Sequence, residues 1–416
     1  MIKNYIKIAW RNLSRNKGFA ITNLLGLTIG ITCTIFIFLW VNDELTYDKF
    51  NVNYKSIYQV IANRDFKNNI FTDNNMVFPL AKSLETGYPQ IKNAVMSTYA
   101  SPQLFVFKDK KIKKQLVTVG GRYFDMFTCK FIKGTPATAI KEPNSIVLTE
   151  STAKAFFGDV DPINKTLKRD TQLLKVTAII ADMPDNSTRQ FDCLTSFGNS
   201  DPQVINAMKE WHNSSYMVYL QLASSPNLSQ IEKYVNKVMF DHNQDKISSY
   251  FLFPMNRWHL YGEFKDGKNT GGQIEYVRLF TIIAIIILLI ACINFMNLST
   301  ARSEKRAKEV GIRKTLGSDK KQLVVQFFFE SIILVIAGFM FSVIAVYLLL
   351  PAFNLLVNKS LVLNLDDPIF WTRAVSIIIF TGAVAGSYPA LYLSSFNPVK
   401  VLKGTFAAGK SAVLPR

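Results

Sequence analysis

Four runs of this chain, residues 19–41, 276–299, 323–350 and 371–393, are apolar nearly without a break. A helix rises ~1.5 Å per residue, so about 20 such residues cross a ~30 Å hydrocarbon core. Each run is long enough, and four transmembrane helices are predicted. The charged residues inside the runs are Arg278, Glu330 and Arg373. All three fall in the first or last third, where a side chain can snorkel or find a partner. The first run has 23 residues and ends in "FLWVNDEL". It is longer than a signal-peptide core and lacks a small-x-small cleavage site, so it reads as a retained span. Gly26-x-x-x-Gly30 in the first span and Gly382-x-x-x-Gly386 in the fourth leave smooth faces for close helix packing.

Before the first span, Ile2, Tyr5, Ile6, Ala9, Trp10 and Leu13 recur on one helical face, with Lys3, Lys7, Arg11 and Arg15 elsewhere. Residues 1–18 are therefore an expected interfacial amphipathic helix, a basic topogenic tail being the plainer alternative. Between the first two spans the pattern changes. "SIYQVIA", "QLFVF", "QLVTVG", "NSIVLT", "LKVTAII" and "SYMVYLQL" are rich in β-branched and aromatic residues and read as strands. "FPLAKSLETGY", "TESTAKAFFG" and "LSQIEKYVNKVMFD" read as helices; Thr149 is expected to cap the second and Gly158 to end it, while Asn227 or Ser229 opens the third. Residues 42–275 thus form an expected α+β domain of two subdomains. "GEFKDGKNTGG" (262–272) is read as its flexible exit. The fold class that follows is a membrane protein of four transmembrane α-helices, with a large α+β domain inserted between the first and second spans.

Charge sets the orientation. The chain has 416 residues and a net charge of +18. Residues 1–18 carry five bases and no acids, residues 302–321 eight bases and three acids, and the tail 394–416 four bases and no acids. Residues 42–275 are nearly balanced, with 28 bases and 24 acids. The positive-inside rule places both termini and the 300–322 segment in the cytoplasm, with 42–275 and the short 351–370 loop outside. The basic excess therefore reports topology and contact with anionic lipid. No basic stripe interleaved with aromatics points to nucleic acid. Cys33 and Cys292 lie in spans; Cys129 and Cys193 lie outside, where a disulfide is permitted and sequence leaves pairing open. His212, His242 and His259 are scattered and read as solvated or core residues.

Catalytic constellations are thin. Gly262-x-x-x-x-Gly267-Lys268 opens like a nucleotide-binding loop, but Asn269 stands where Ser or Thr would hold magnesium. Asp159 with Asp161 and Asp182 with Asp185 sit in turn-forming contexts, "GDVDP" and "ADMPDN". No metal or cofactor site is expected in this chain. The remaining candidate is "ARSEKRAKEVGIRKTLGSDKKQLVVQFFFES" (301–331). Topology requires its bases but not its order. Glu304–Lys308 and Glu309–Arg313 stand at i,i+4, and Gly317 is placed to end the helix. Ala307, Val310 and Gly311 group on one side, Ile312 and Leu316 on the other. Such a helix can touch lipid or the spans with one side and a protein partner with the other.

That stretch resembles the cytoplasmic segment of the FtsX/MacB-type ABC transporter permeases: E-[IV]-G-I-R-[KR]-x-L-G, then Q-F-x-x-E-S entering the next span. "WRNLSRNKGFAITNLLGLTIGI", "VNDELTYDKFNVNYKSIYQV", "IVLTESTAKAFFGDVDPINKTLKRD" and "GSYPALYLSSFNPVKVLKG" are similar to further segments of the family, in the same order. The resemblance implies a MacB-like periplasmic domain in the bacterial inner membrane, and a separate ATP-binding subunit that holds ATP and magnesium. It also implies that Arg302, Glu304, Arg306, Glu309, Gly311, Arg313, Lys314, Leu316 and Gly317 contact that ATPase, whose motion passes through the spans. Relatives export peptides or drugs, extract lipoproteins, or regulate cell-wall hydrolases without moving a substrate; the last is the alternative, a regulatory or signalling scaffold. A periplasmic adaptor or outer-membrane partner fits the same family. Many relatives have eight spans, so either a homodimer or a second permease half is expected.

Overall fold

A backbone that crosses hydrocarbon must satisfy its own N–H and C=O groups, which a helix does within one segment. In the computed structural model, which describes residues 17–120, 122–198, 202–244, 246–301 and 320–394, the first apolar run is the helix α1 (Lys17–Leu45). The chain divides into two compact units, a membrane unit containing 1–42 and 277–416 and an extramembrane unit, Asp43–Tyr276.

The extramembrane unit has two lobes. The chain begins the first with β1 (Ile57–Phe66), β2 (Asn69–Asp73), β3 (Met76–Val77), α2 (Leu80–Gly87) and β4 (Ile91–Ser97). It then builds the whole second lobe: β5 (Ser101–Phe107), β6 (Lys110–Val119), α3 (Tyr123–Met126), β7 (Phe131–Lys133), α4 (Pro136–Ala139), β8 (Ser145–Thr149), α5 (Glu150–Phe157), β9 (Thr166–Arg169), β10 (Gln172–Ile180) and β11 (Cys193–Ser196). After α6 (Pro202–Ala207) it returns to the first lobe with β12 (Ser214–Leu222), α7 (Leu228–Asn243) and β13 (Ser248–Pro254). The six quoted strand motifs and the three helix motifs all fall on elements of the matching type.

Alternation explains how each strand serves two cores. In the antiparallel sheet β4-β12-β1-β13, Val60, Ala62, Val218, Leu220 and Leu252 face α2 and α7, where Leu80, Leu84, Ile231 and Val235 are buried. The neighbouring positions Ile57, Ile61, Tyr219 and Phe253 point to the other face. In the second lobe the pairings close on themselves, β5-β6-β11-β8-β10-β9 and back to β5. Closure removes sheet edges. Phe105, Leu116, Ile146, Leu148, Leu174 and Val176 form the core of this ring, with Phe156 and Phe157 of α5. The alternate residues Val117, Val147, Ala178 and Leu194 join Ile57 and Tyr219 in a third core shared by both lobes.

Two local expectations change and one holds. Thr149 does occupy the N-cap of α5, but its side chain makes no capping bond; Asp182 accepts the Ser151 N–H at 3.1 Å instead. Gly158, at φ 62°, ends that helix, and its N–H bonds Lys154 O. The 262–272 segment is not an open exit. It holds the hairpin β14 (Glu263–Lys265) and β15 (Lys268–Gly271), because Asp266 (φ 49°) and Gly267 (φ 74°) supply the two positive φ values a tight hairpin turn needs. That conformation also disposes of the nucleotide-loop reading.

The remaining spans are α8 (Gln273–Ala301), α9 (Lys320–Val357) and α10 (Pro368–Ser394). All four helices outrun the apolar windows that predict them. The largest correction is in α9, which continues through Pro351 and takes in the first seven residues of the region expected as a loop. Proline removes one backbone donor but does not forbid helix here, since membrane helices tolerate it where neighbours adjust. Leu27, Ile31, Leu288, Phe295, Val335, Phe339 and Ala385 form the interior of this unit. Leu25, Ile29, Ile286 and Leu348 point outward and are left for lipid to cover.

Small residues set the helix separations. A Cβ on Gly30 would lie 2.5 Å from Ala291 Cβ of α8, and one on Gly26 2.8 Å from Asn294 Nδ2. A Cβ on Gly382 would lie 2.9 Å from Ile332 Cγ1 of α9, and one on Gly386 3.1 Å from Ser331 Oγ. Gly18, by contrast, has nothing within 4 Å. Gly30→Ala is therefore expected to lower the thermal midpoint of the purified protein, by an overpacking cost of about 1–3 kcal/mol. Gly18→Ala is expected to be neutral or to gain up to about 1 kcal/mol from helix propensity. Equal shifts in the two variants would show that the α1–α8 approach is not tight.

Candidate functional site

Arg302, Glu304, Arg306, Glu309, Gly311, Arg313, Lys314, Leu316 and Gly317 lie outside the described residues, as does nearly all of the 1–18 helix. What the structure describes on either side is α8 ending at Ala301 and α9 starting at Lys320. The spans that flank the basic segment therefore both pack into the membrane unit.

Within that unit, α1 is held on two sides. Gly26 and Gly30 face α8, while Leu27 and Thr28 face α9 at Gly338, where an added Cβ would lie 3.2 Å from Leu27 Cβ. Ser342 Oγ donates to Gly338 O (2.7 Å) and lies 2.9 Å from Thr28 O, tying α9 to α1. Thr34 Oγ1 donates to Gly30 O at 2.8 Å. Gly338-x-x-x-Ser342 is a small-xxx-small pattern of the same kind as the two glycine pairs. It was readable in the sequence once serine is counted as small. Near the other end, Arg373 of α10 donates to Asn42 Oδ1 at 3.0 Å, with its guanidinium carbon 4.5 Å from the centre of the Phe38 ring. This pairing explains how a charged residue is accommodated at the margin of a span.

The extramembrane unit opens with the last turn of α1 and the segment after it, and a polar latch forms there. Glu44, only 4% exposed, shares a hydrogen bond with His259 Nε2. The His259 ring stacks flat on Tyr47, with centroids 3.4 Å apart. Asp48 is 1% exposed and in the left-handed region at φ 60°, a conformation Asp tolerates better than most residues. Its carboxylate accepts from the Thr188 N–H at 2.8 Å and from the Thr188 hydroxyl, and its own N–H donates to Asn186 O at 2.9 Å. Asn51 continues the network, donating to Asp48 O and accepting from Thr128 N. Burial pushes the Asp48 carboxyl above its ordinary range, against the opposing pull of the Thr188 hydrogen bonds. None of these residues stood out in sequence: an Asp-Glu pair after a span reads as a solvated boundary, and His259 as an isolated histidine.

The other candidates have structural partners. Asp161 accepts from Ile163 N and pairs with Lys133 at 3.2 Å. Cys129 and Cys193 are free thiols in different cores, and burial pushes both pKa values up, that of Cys129 to about 12. Among the described residues no three His, Cys, Asp or Glu side chains gather as a metal site.

Comparison with known proteins follows the same division of the chain. Residues 20–238 match the family model of the MacB-like periplasmic core domain, and residues 281–398 that of the FtsX-like permease C-terminal region. The macrolide export ATP-binding/permease protein MacB of Bdellovibrio bacteriovorus is 23% identical over 281 residues, 62% of this chain and 38% of that protein. Its counterpart from Campylobacter fetus is 26% identical over 272 residues, 63% of this chain and 39% of that one. The chain thus spans less than half the length of these relatives. A crystallised permease domain from Porphyromonas gingivalis covers 49% of this chain and 92% of its own, with a TM-score of 0.43 and 18% identity. Two family models in order, the first alone spanning more than half of the residues, settle the identity: the chain belongs to the FtsX/MacB-type ABC transporter permeases.

Proposed function

We propose that this permease carries the motion of an ATP-hydrolysing partner to its periplasmic domain. The observation that supports this reading most is the arrangement around α1. One continuous helix is packed against α8 and α9 through small residues, and its last turn contains Glu44, buried and bonded to His259. The segment 302–319, which joins α8 to α9, is where the ATP-binding partner docks in this proposal. Glu309, Gly311, Arg313 and Gly317 would provide helix formation, close approach, charged docking and helix termination. ATP and magnesium belong to the partner in this proposal. The positive-inside rule puts both termini and the docking segment on the cytoplasmic side of the inner membrane. The names of the MacB relatives suggest an export role, with macrolide-like, peptide or lipoprotein-type substrates as the classes to try. The second permease half is either another copy of this chain or the further half of a longer protein, and an adaptor or outer-membrane partner would meet the periplasmic domain.

Co-purification tests the docking. The wild type is expected to retain an ATP-binding subunit in the presence of nucleotide, whereas Gly311→Trp and Arg313→Glu lose it and still insert in the membrane. Undiminished association in both variants would remove 302–319 from the coupling role, and no ATPase in the wild-type complex would favour the regulatory scaffold.

The latch is tested by a double-mutant cycle read as thermal unfolding. His259→Leu takes one hydrogen-bond partner from the buried Glu44 and is expected to cost about 1–3 kcal/mol. Adding Glu44→Leu should restore part of that loss, because the two side chains act as one unit. Simple additivity would show that they do not.

A further inference from the structure

Arg189 is in an unusual position for a guanidinium in the extramembrane domain. Its central carbon lies 4.6 Å from the centre of the Tyr219 ring, 4.9 Å from that of Phe127 and 5.3 Å from that of Tyr123. Nη2 donates to Ser97 Oγ at 2.8 Å. Nε and Nη1 are buried, and the Tyr123 and Tyr219 hydroxyls interact with the guanidinium. Among the described residues no carboxylate comes within ion-pair distance of Arg189. Asp48 attracts it from farther away, but Thr188 occupies the oxygens of that carboxylate. A buried cation without a paired carboxylate is costly to leave in place unless something compensates its charge.

The same residue lines a cavity of about 370 Å³, at the small end of the usual range for ligand pockets. Tyr219, Trp258, Phe191 and Met217 give it apolar walls, and Gln59 and Thr98 add neutral polar groups. Arg189 is the charged member of the lining, and no acid shares it. The lining residues all belong to the extramembrane unit, and Thr188, which holds Asp48 of the latch, is one of them. The cavity's chemistry therefore calls for an anion with an apolar body. Inorganic phosphate would meet the cation but waste the aromatic walls, and a neutral aromatic would fill the walls but leave the cation's charge uncompensated.

We propose that this cavity binds a small organic carboxylate, the guanidinium of Arg189 taking the carboxylate and the Tyr219–Trp258 wall its aromatic or aliphatic body. This goes beyond ATP-driven coupling and does not depend on it. Charge-assisted hydrogen bonds to a carboxylate are the stronger kind available to arginine, and the ring faces that hold Arg189 in place fix its plane for the ligand.

Calorimetric titration of the full chain in lipid nanodiscs, with empty nanodiscs as the blank, tests this with three probes: benzoate, its neutral isostere benzamide, and inorganic phosphate. Benzoate is expected to bind saturably with a Kd below about 10 mM and at least about tenfold more tightly than either other probe. Arg189→Met should abolish that binding. Because loss of a buried arginine can also unfold the domain, Ala100→Trp is the second variant. Ala100 lines the cavity and is exposed, so the indole fills the space while Arg189 stays, and benzoate binding should be lost with the melting curve unchanged. The proposal is overturned if benzoate gives no saturable binding, if benzamide or phosphate matches it, or if folded Ala100→Trp binds benzoate as the wild type does.

Discussion

Lipid chains are as apolar as leucine, so burial gives membrane helices no reason to prefer one another over solvent. What remains is close contact and the hydrogen bonds that close contact permits. In this permease the constraint is concentrated on α1. Gly30 brings its backbone against Ala291 on one side, and Leu27 meets Gly338 on another. The two seams lie within a single turn of each other, so a larger side chain at either would push α1 away from both neighbours. Close approach also brings Ser342 Oγ to within reach of Thr28 O, which a wider separation would not allow. The glycines therefore come first, and the polar contacts follow from them.

The extramembrane domain meets the opposite condition, because water drives its packing and apolar area is what counts. Its second lobe is inserted into the first between β4 and β12, joined in the sheet by the single register pair Ser97–Val119. One pair is a weak hinge by itself. What makes the two lobes one compact unit is the third core, in which Ile57 and Tyr219 of one lobe pack with Val117, Val147 and Leu194 of the other. The strands of the closed ring bury both faces, which explains why "NSIVLT" is apolar at consecutive positions instead of alternating: Ile146 and Leu148 face the ring interior while Val147 faces the shared core.

Much of this was legible. Long apolar runs gave the spans, and β-branched and aromatic runs gave β1, β5, β6, β8, β10 and β12, because both signals are composition summed over many residues. The short strands β2, β3, β7, β9 and β11 were not visible, since a few residues held by their neighbours carry little pattern of their own, and the seven-residue β4 and β13 were not read either. The 262–272 hairpin was missed although Asp266-Gly267 is a strong turn signal; the surrounding glycines and charges suggested looseness more readily than pairing. Thr149 shows another limit. Sequence identifies a residue able to cap a helix, but Asp182, distant in sequence, reaches the Ser151 N–H instead. The functional reading came from the ordered residues of 301–331 and their resemblance to a family, whereas the Glu44–His259 latch needed three-dimensional proximity across more than 200 residues.

That latch raises the question of why a domain with three apolar cores buries carboxylates at its entrance. Glu44 and Asp48 are costly to desolvate, and well-packed apolar residues of similar size commonly give equal or greater stability. Apolar contacts, however, are nearly indifferent to rotation, whereas a hydrogen bond weakens steeply as its angle departs from linear. Asp48 accepts from both the N–H and the hydroxyl of one residue, Thr188, and Glu44 meets a ring that Tyr47 already holds flat. Each arrangement therefore fixes an angle as well as a distance. Within residues 44–51 the angle is the quantity that matters, because a small rotation at Glu44 or Asp48 would weaken the bonds to Asn186, Thr188 and His259. The buried charges thus give up some stability for a defined direction in the segment that follows α1, and the apolar cores of the domain are large enough to offset that loss.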